Sequence, residues 1–328
     1  MTEQELAVAI TTPTHEGVQR AMSKIAAILP KTPLLPVEVD GVTIWCKAEM
    51  LQPIGAFKIR GAWHRLSDLN AQERARGVVG VSSGNHAQGV AWAAKKLGIS
   101  ATIVMPSNAP RMKLEATKAL GAQVVLYDRA TESREEVAAA LIAQSNATLV
   151  HAFGDPWVIE GQGTAGIEIA EQLQSLGISG PDLIVSCCGG GGLAAGLALA
   201  CPDADIAIVE PEGWDDVRLS LEAGEIVAVP DPSYPTACDA LQTPATRPIN
   251  FAVLNGRVPR ALVVTPAEVR AAQRWAFSNL HLVVEPGGAA ALAAVLAGKT
   301  PVDGRTVVIL SGGNTDPAAF AAVLAGQD

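Results

Sequence analysis

An α/β protein of two lobes is the architecture this chain predicts, and three observations carry the prediction. Short apolar runs alternate with helical stretches over most of the length, as in βαβ units built around a parallel sheet. The 328 residues are 49% hydrophobic and 17% charged, enough for a large buried core, by size two domains or one large α/β unit. No internal repeat, low-complexity tract or flexible linker interrupts the pattern. Two lobes therefore abut directly, and the cleft between them is the default ligand site.

Each element has its own signal. Residues 16–29 carry helical apolar spacing that stops before Pro30, and 42–46 read as a strand. Strand-like 77–81, 101–105 and 123–127 are each followed by a helical stretch, at 87–97, 111–120 and 134–144. The pattern resumes with helix 163–176, strand 182–186, helix 193–200 and strand 205–209. It closes with helices 266–280 and 288–296 and strand 306–310. Residues 215–255, rich in Pro and Asp, read as an irregular connection, and Val284 reads as the end of a strand.

Composition excludes several classes. Lys plus Arg number 24 against 33 Asp plus Glu, a net charge of -9, with no basic cluster to hold nucleic acid. Cys46, Cys187, Cys188, Cys201 and Cys238 are an odd number with no CxxC pair, which fits reduced, buried thiols of a cytoplasmic protein. The acidic start, Met1 to Glu5, lacks a signal-peptide apolar region, and no apolar run reaches membrane-spanning length.

Four segments carry the chemistry. In Pro53-Ile54-Gly55-Ala56-Phe57-Lys58-Ile59-Arg60-Gly61-Ala62, a lysine between apolar neighbours is flanked by glycines. Burial would disfavour its ammonium form and make the amine nucleophilic toward a carbonyl, although a lone lysine in such a stretch is ordinarily solvated. Cys187-Cys188-Gly189-Gly190-Gly191-Gly192-Leu193 follows a strand and opens a helix, so consecutive N–H groups can converge on an anion. It has neither a Walker Lys-Ser/Thr nor the third glycine of the dinucleotide fingerprint; it suits a monophosphate, or is a tight turn without a ligand. Ser82-Ser83-Gly84-Asn85-His86 offers hydroxyls and backbone donors for a carboxylate, or serves as a simple helix cap. Ser311-Gly312-Gly313-Asn314 places a hydroxyl at the end of the last strand, where ligands of α/β folds bind. Glu285 is either a cleft residue or a helix-start carboxylate.

Together, in their order and separations, these motifs resemble the fold-type II pyridoxal-phosphate enzymes, specifically the threonine/serine dehydratase (ammonia-lyase) and serine racemase family. The resemblance spans the chain from about Lys31 onward; it departs at Ala56, where a Ser or Thr is usual, and at Trp214, where a small residue is expected. It implies the tryptophan synthase β-like fold, with two open, twisted, mostly parallel sheets, flanking helices and the cofactor in the interdomain cleft. Residues 1–65 and 153–328 would form a discontinuous cofactor-binding domain, and 66–152 a small substrate-binding domain. Lys58 would be the Schiff-base lysine and the base at Cα, with Phe57 beside the ring and Asn85 on its 3-oxygen. Gly189, Gly190, Gly191 and Gly192, continuing into Leu193, would hold the phosphate; Ser311 would meet the pyridine nitrogen, with Glu285 and Asn314 nearby. A neutral hydroxyl at that nitrogen makes the ring a weaker electron sink than an Asp would, which favours β-elimination over transamination.

The resemblance also narrows the substrate. It implies a homodimer that converts L-threonine or L-serine to a 2-oxo acid and ammonia; 3-hydroxyaspartate dehydration and serine or aspartate racemisation are the alternatives. Ser82, Ser83, Gly84, Asn85 and His86 would hold the α-carboxylate. Ser83, where dehydratases often carry Ala, could also act as acid or base on the face opposite Lys58. Arg134, with His151 and Thr243, would bind a second carboxylate, unless Arg134 is only paired with neighbouring glutamates. Glu210, the Trp214 carbonyl and Asp216 match the oxygen ligands of the metal-activated branch, for Mg2+, Ca2+ or Mn2+, or form a solvated acidic turn. The chain ends soon after Asn314, so the C-terminal regulatory domain of the biosynthetic deaminases is not expected.

Overall fold

The computed structural model describes residues 12–82, 84–109, 111–128 and 131–327; Ser83 lies outside them. Helix α1 (His15–Ile25) precedes the hairpin β1 (Leu34–Val39) and β2 (Val42–Ala48), and α2 (Lys58–Ser67) and α3 (Ala71–Arg76) follow. Next come β3 (Val78–Val81), α4 (Asn85–Leu97), β4 (Ala101–Pro106), α5 (Arg111–Ala119), β5 (Gln123–Tyr127), α6 (Arg134–Ser145) and β6 (Thr148–Val150). The chain continues through α7 (Pro156–Ser175), β7 (Leu183–Cys187), α8 (Gly192–Ala200), β8 (Asp205–Pro211), α9 (Asp216–Ala223) and α10 (Pro248–Leu254). It finishes with β9 (Arg260–Val264), α11 (Pro266–Leu280), α12 (Pro286–Leu296), β10 (Thr306–Leu310) and α13 (Pro317–Leu324).

The described strands form two sheets. One has the order β5-β4-β3-β6 and is parallel throughout. The other runs β1-β2-β10-β7-β8-β9; only the β1–β2 pair is antiparallel, and every other pairing is parallel. Strands β7 and β10 lie inside this sheet and are buried along their whole length, as parallel strands covered on both faces must be. A fully buried Val, Leu or Ile of this kind contributes about 1.5–3 kcal/mol. The alanine- and glycine-rich α12 packs against β7, β8, β9 and β10, where its small side chains allow close approach.

Several expectations need correction. Val284 ends no strand: 281–285 have no regular structure, and the Val284 carbonyl accepts from Gln273 Nε2 at 2.8 Å instead of joining a ladder. The stretch 215–255 is not wholly irregular, because Glu210 takes the first free N–H groups of α9 and Pro248 starts α10 at its first turn. Helix α7 begins seven residues before the expected 163, capped by Asp155, whose carboxylate accepts from Val158 N. Short β1, β6 and β9 and helices α2, α3 and α13 were not expected at all.

Candidate active site

Lys58 is the first residue of α2, and the turn before it is held from across the sheet. Phe57 N donates to Ser311 O at 3.0 Å, Gly313 N donates to Gly55 O at 2.9 Å, and Ala56 bridges Gly312. The loop that presents the lysine is therefore stitched to the loop that presents Ser311. Lys58 Nζ donates to Ala152 O at 2.8 Å and stands 5.1 Å from the centre of the Phe57 ring. The residue is half-buried. Burial of its amine lowers the pKa to about 8. A fraction of the amine is thus neutral near pH 7.

Several helix starts near this lysine lack a side-chain cap, as do those of α9 and α10. Thr14, Asn70, Ser133, Asp155, Thr265 and Asp316 cap their helices with side-chain oxygens. Phe57, Gly84, Gly191 and Glu285, at the starts of α2, α4, α8 and α12, make no such bond. The first N–H groups of α4 and α8 are left for an external anion. At the α8 start, Gly191 has φ +86° and a Cβ on Gly190 would lie 2.3 Å from the Phe153 ring, so only glycine fits there. Thr246 Oγ1 donates to Gly190 O at 3.1 Å and fixes the loop, Thr243 lies against Gly189, and Leu193 is buried in the core below.

Asn85 joins the two halves of the cleft. Its Nδ2 donates to Glu285 Oε1, and its Oδ1 accepts from Asn314 Nδ2 at 2.8 Å. Glu285 thus faces the cleft instead of capping α12; burial raises its pKa to about 7 and its Oε2 has no partner. Gly312 makes room for this arrangement, since a Cβ there would fall 2.1 Å from Glu285 Oε1. Ser311 Oγ accepts from the Cys187 thiol at 3.2 Å. His86 donates Nε2–H to Val150 O at 2.9 Å, which leaves Nδ1 as a bare acceptor. Burial and then Lys58 hold its pKa down to about 3, so it is neutral.

Toward the outer part of the cleft, His151 Nδ1 accepts from Gly154 N at 2.8 Å, so its proton sits on Nε2. Burial lowers its pKa to about 3, with further pressure from Arg247, His86, Arg134 and Lys58. Arg134 is paired with Glu135 at 2.6 Å and its side chain is 44% exposed. Arg247, which no sequence motif singles out, lies closer in: its stem and the His151 ring both pack over Gly154. The only local signal for it was the Arg-Pro start of α10.

The acidic turn lies behind the glycine loop, close enough for Glu210 and Asp216 to raise the pKa of Cys188. Among the described residues no three His, Cys, Asp or Glu side chains cluster as metal ligands. Glu210 and Asp216 are nevertheless fully buried together, without a cation of their own. Glu210 accepts from Val217 N and Arg218 N, while neither Asp216 oxygen has a side-chain partner. Burial, and in Glu210 also the neighbouring Asp216, pushes both pKa values up, Asp216 to about 7. Trp214 is buried, with its ring N–H donating to Tyr234 O at 2.8 Å. Two buried carboxylates lacking a countercharge fit a divalent cation and do not fit a solvated turn.

A glycine-rich strand-to-helix turn, a lysine of lowered pKa and a buried serine at the end of a parallel strand are thus held by neighbouring loops. The pyridoxal-phosphate dependent enzyme family profile matches residues 25–312. The chain belongs to that family. It is 37% identical over 325 residues to an L-threo-3-hydroxyaspartate ammonia-lyase of Saccharomyces cerevisiae, covering 96% of this chain and 98% of that one. Maize serine racemase superposes with a TM-score of 0.88 at 34% identity, over 96% and 98% of the two chains. The threonine deaminase of T.th. gives 0.85 at 41% identity, over 93% and 99%. In this family member the Lys58 loop is bonded to the Ser311 loop, Ser311 to Cys187 before the glycine turn, and Asn85 to Glu285 and Asn314, whereas Arg134 is exposed and paired with Glu135.

Proposed function

We propose that this enzyme is a pyridoxal-phosphate ammonia-lyase that converts L-threonine or L-serine to a 2-oxo acid and ammonia. The observation that carries the reading is Lys58: a lysine with its pKa lowered to about 8, beside two uncapped helix starts and a neutral serine. The cofactor, when bound, would hold the substrate's amine covalently and stabilise the electron pair left at Cα. Phe57, Asn85, Glu285, Ser311, Asn314 and the Gly189–Gly192 loop with Leu193 would hold it. The chain's own work is positional and protonic. The Lys58 amine takes the Cα proton; the start of α4, with Ser82, Gly84, Asn85 and His86, binds the α-carboxylate through N–H donors. The β-hydroxyl leaves with a proton as water, and hydrolysis of the remaining C–N bond gives the 2-oxo acid and ammonia. On this reading 66–152 is a substrate domain set against a cofactor domain of 1–65 and 153–328, and the two separate sheets support that division. Lys58→Ala should lose both turnover and the visible absorption of the loaded protein. Retained turnover would sink the assignment.

A second reading, 3-hydroxyaspartate as substrate, is favoured by the outer cleft. There the His151 Nε2–H, Arg134 and Arg247 supply donors for a second carboxylate, with Thr243 at the edge of the glycine loop. Oxo-acid release from L-threonine, L-serine and the hydroxyaspartate isomers decides between the two. Arg134→Ala and Arg247→Ala should weaken hydroxyaspartate turnover selectively; equal loss on all substrates counts against the second reading. Ser83 is the candidate proton donor for racemisation, which chiral analysis of recovered substrate would detect. For the buried pair Glu210 and Asp216, with the Trp214 carbonyl, we assign Mg2+, Ca2+ or Mn2+. The family resemblance supports a homodimer, and the five free, buried cysteines support a cytoplasmic setting. No helix among the described residues is long and apolar enough to cross a membrane.

A further inference from the structure

The serine at the end of β10 is not left to choose its own hydroxyl direction. Strands β7 and β10 are parallel neighbours, so Cys187, the last residue of β7, comes beside Ser311, the first residue after β10. The two side chains are buried, and Cys187 Sγ donates to Ser311 Oγ at 3.2 Å. A serine hydroxyl has one proton to give and lone pairs to receive. With a thiol proton directed at a lone pair, the serine's own O–H must turn away from the sulfur. Its backbone is committed elsewhere, Ser311 O accepting from Phe57 N and Ser311 N donating to Gly288 O.

We propose that Cys187 is a positioning residue that fixes Ser311 as a hydrogen-bond donor toward the cleft, so that a ring nitrogen placed there is held as an unprotonated acceptor. The inference rests on the assignment of Ser311 to the pyridine nitrogen. Burial raises the Cys187 pKa to about 11, so the thiol keeps its proton at neutral pH and remains a donor. Without it, the hydroxyl could rotate and accept from a protonated ring nitrogen, and the electronic character of the bound cofactor would change. The thiol thereby acts on chemistry it does not touch.

The test uses the cofactor-loaded protein and its Cys187→Val, Cys187→Ser, Ser311→Ala and Cys187→Val/Ser311→Ala variants. The readouts are the visible absorption spectrum at one pH, the Kd for pyridoxal phosphate, and kcat. Cys187→Val is expected to redistribute the visible bands and lower kcat about fivefold, the effect of one lost hydrogen bond. Cys187→Ser, which restores a donor, is expected to recover the original spectrum. In the Ser311→Ala background, Cys187→Val is expected to add no further spectral change. An unaltered spectrum in Cys187→Val, or the same change with and without Ser311, overturns the role of the thiol alone. An unaltered spectrum in Ser311→Ala overturns the nitrogen assignment as well. Comparable Kd values across the series show that the variants fold and bind.

Discussion

Two buried groups of charged side chains accompany the larger sheet, and they are built on opposite rules. In the first, Arg60 uses every N–H it has. Its Nε and Nη2 reach Glu49 at 2.7 Å, its Nη1 and Nη2 reach Glu168 at 2.8 Å, and Nη1 also reaches Thr164 at 3.2 Å. Lys47 likewise spends its three protons on Glu168 at 2.6 Å, Gln172 at 2.8 Å and Thr32 O at 2.9 Å. Two cations face two anions, and their charges cancel. In the second group, Glu210 and Asp216 are equally buried with no cation between them, and neither oxygen of Asp216 has a side-chain partner. A closed network of the first kind can tie β2, α2 and α7 together from within. The second kind is stable only if its missing charge comes from solution or its protons stay on.

The largest test breaks the balanced group. Glu168→Ala would leave Lys47 and Arg60 with Glu49 as their one remaining acid in a buried site. The expected loss is about 3–5 kcal/mol of unfolding free energy, measured by urea titration. A loss below about 1 kcal/mol would mean that water reaches the site and that it is not the closed network described here. Because Arg60 lies two residues beyond Lys58 in α2, the same variant should also disturb turnover.

Supplying the missing charge to the unbalanced group should have the next largest effect. After EDTA treatment, Mg2+ at a hundred times its Kd should stabilise the protein by about 2.7 kcal/mol, seen as a rise in Tm. Asp216→Asn should abolish that response while leaving the metal-free protein at least as stable as before, since it removes an uncompensated acid. An EDTA-treated protein indifferent to Mg2+, Ca2+ and Mn2+ would remove the cation from the account.

Acid should act on the balanced group through Glu49. Burial pushes its pKa up, but the Arg60 guanidinium, helped by Lys47 and Thr32, more than offsets this and holds it below the ordinary 4.5. A carboxyl with a depressed folded pKa contributes stability that is present above its unfolded pKa. That contribution is lost as pH falls from about 4.5 through the folded value. Stability against pH should therefore show an acid limb that Glu49→Gln flattens. A Glu49→Gln protein with an unchanged acid limb would assign the limb to other carboxylates.

How much of this was legible in the sequence follows from the range over which each signal acts. The parallel βαβ order, the glycine loop and the place of Lys58 could be read, because turn glycines and apolar runs act within a few residues. Three-residue β6 and edge strands β1 and β9 escaped because they are short or only half buried, which blurs the two-residue alternation. Helix α2 was obscured by the charged and aromatic run Lys58-Ile59-Arg60-Gly61-Ala62-Trp63-His64-Arg65, most of which is buried through partners distant in sequence. The roles of Arg60, Cys187 and Arg247 were equally out of reach. Each depends on a neighbour far along the chain: Glu168 for Arg60, Ser311 for Cys187, His151 for Arg247.

The smallest expected effect separates burial from charge pairing as the source of the difference. Helix α7 carries Glu168 and Gln172 inward, but Glu171 between them points outward and pairs with Lys31 at 2.7 Å, with side chains 50% and 45% exposed. The geometry of this pair is as good as that of the buried pairs; only its dielectric surroundings differ. Lys31→Ala should cost no more than about 1 kcal/mol, and that cost should vanish in molar salt, where the screening length falls to about 3 Å. Glu168→Ala should keep most of its penalty in the same salt, because water and ions do not enter between Arg60 and its partners. If both variants lost their penalties together, the inner network would be solvated, and the contrast with Glu210 and Asp216 would reduce to a difference in net charge.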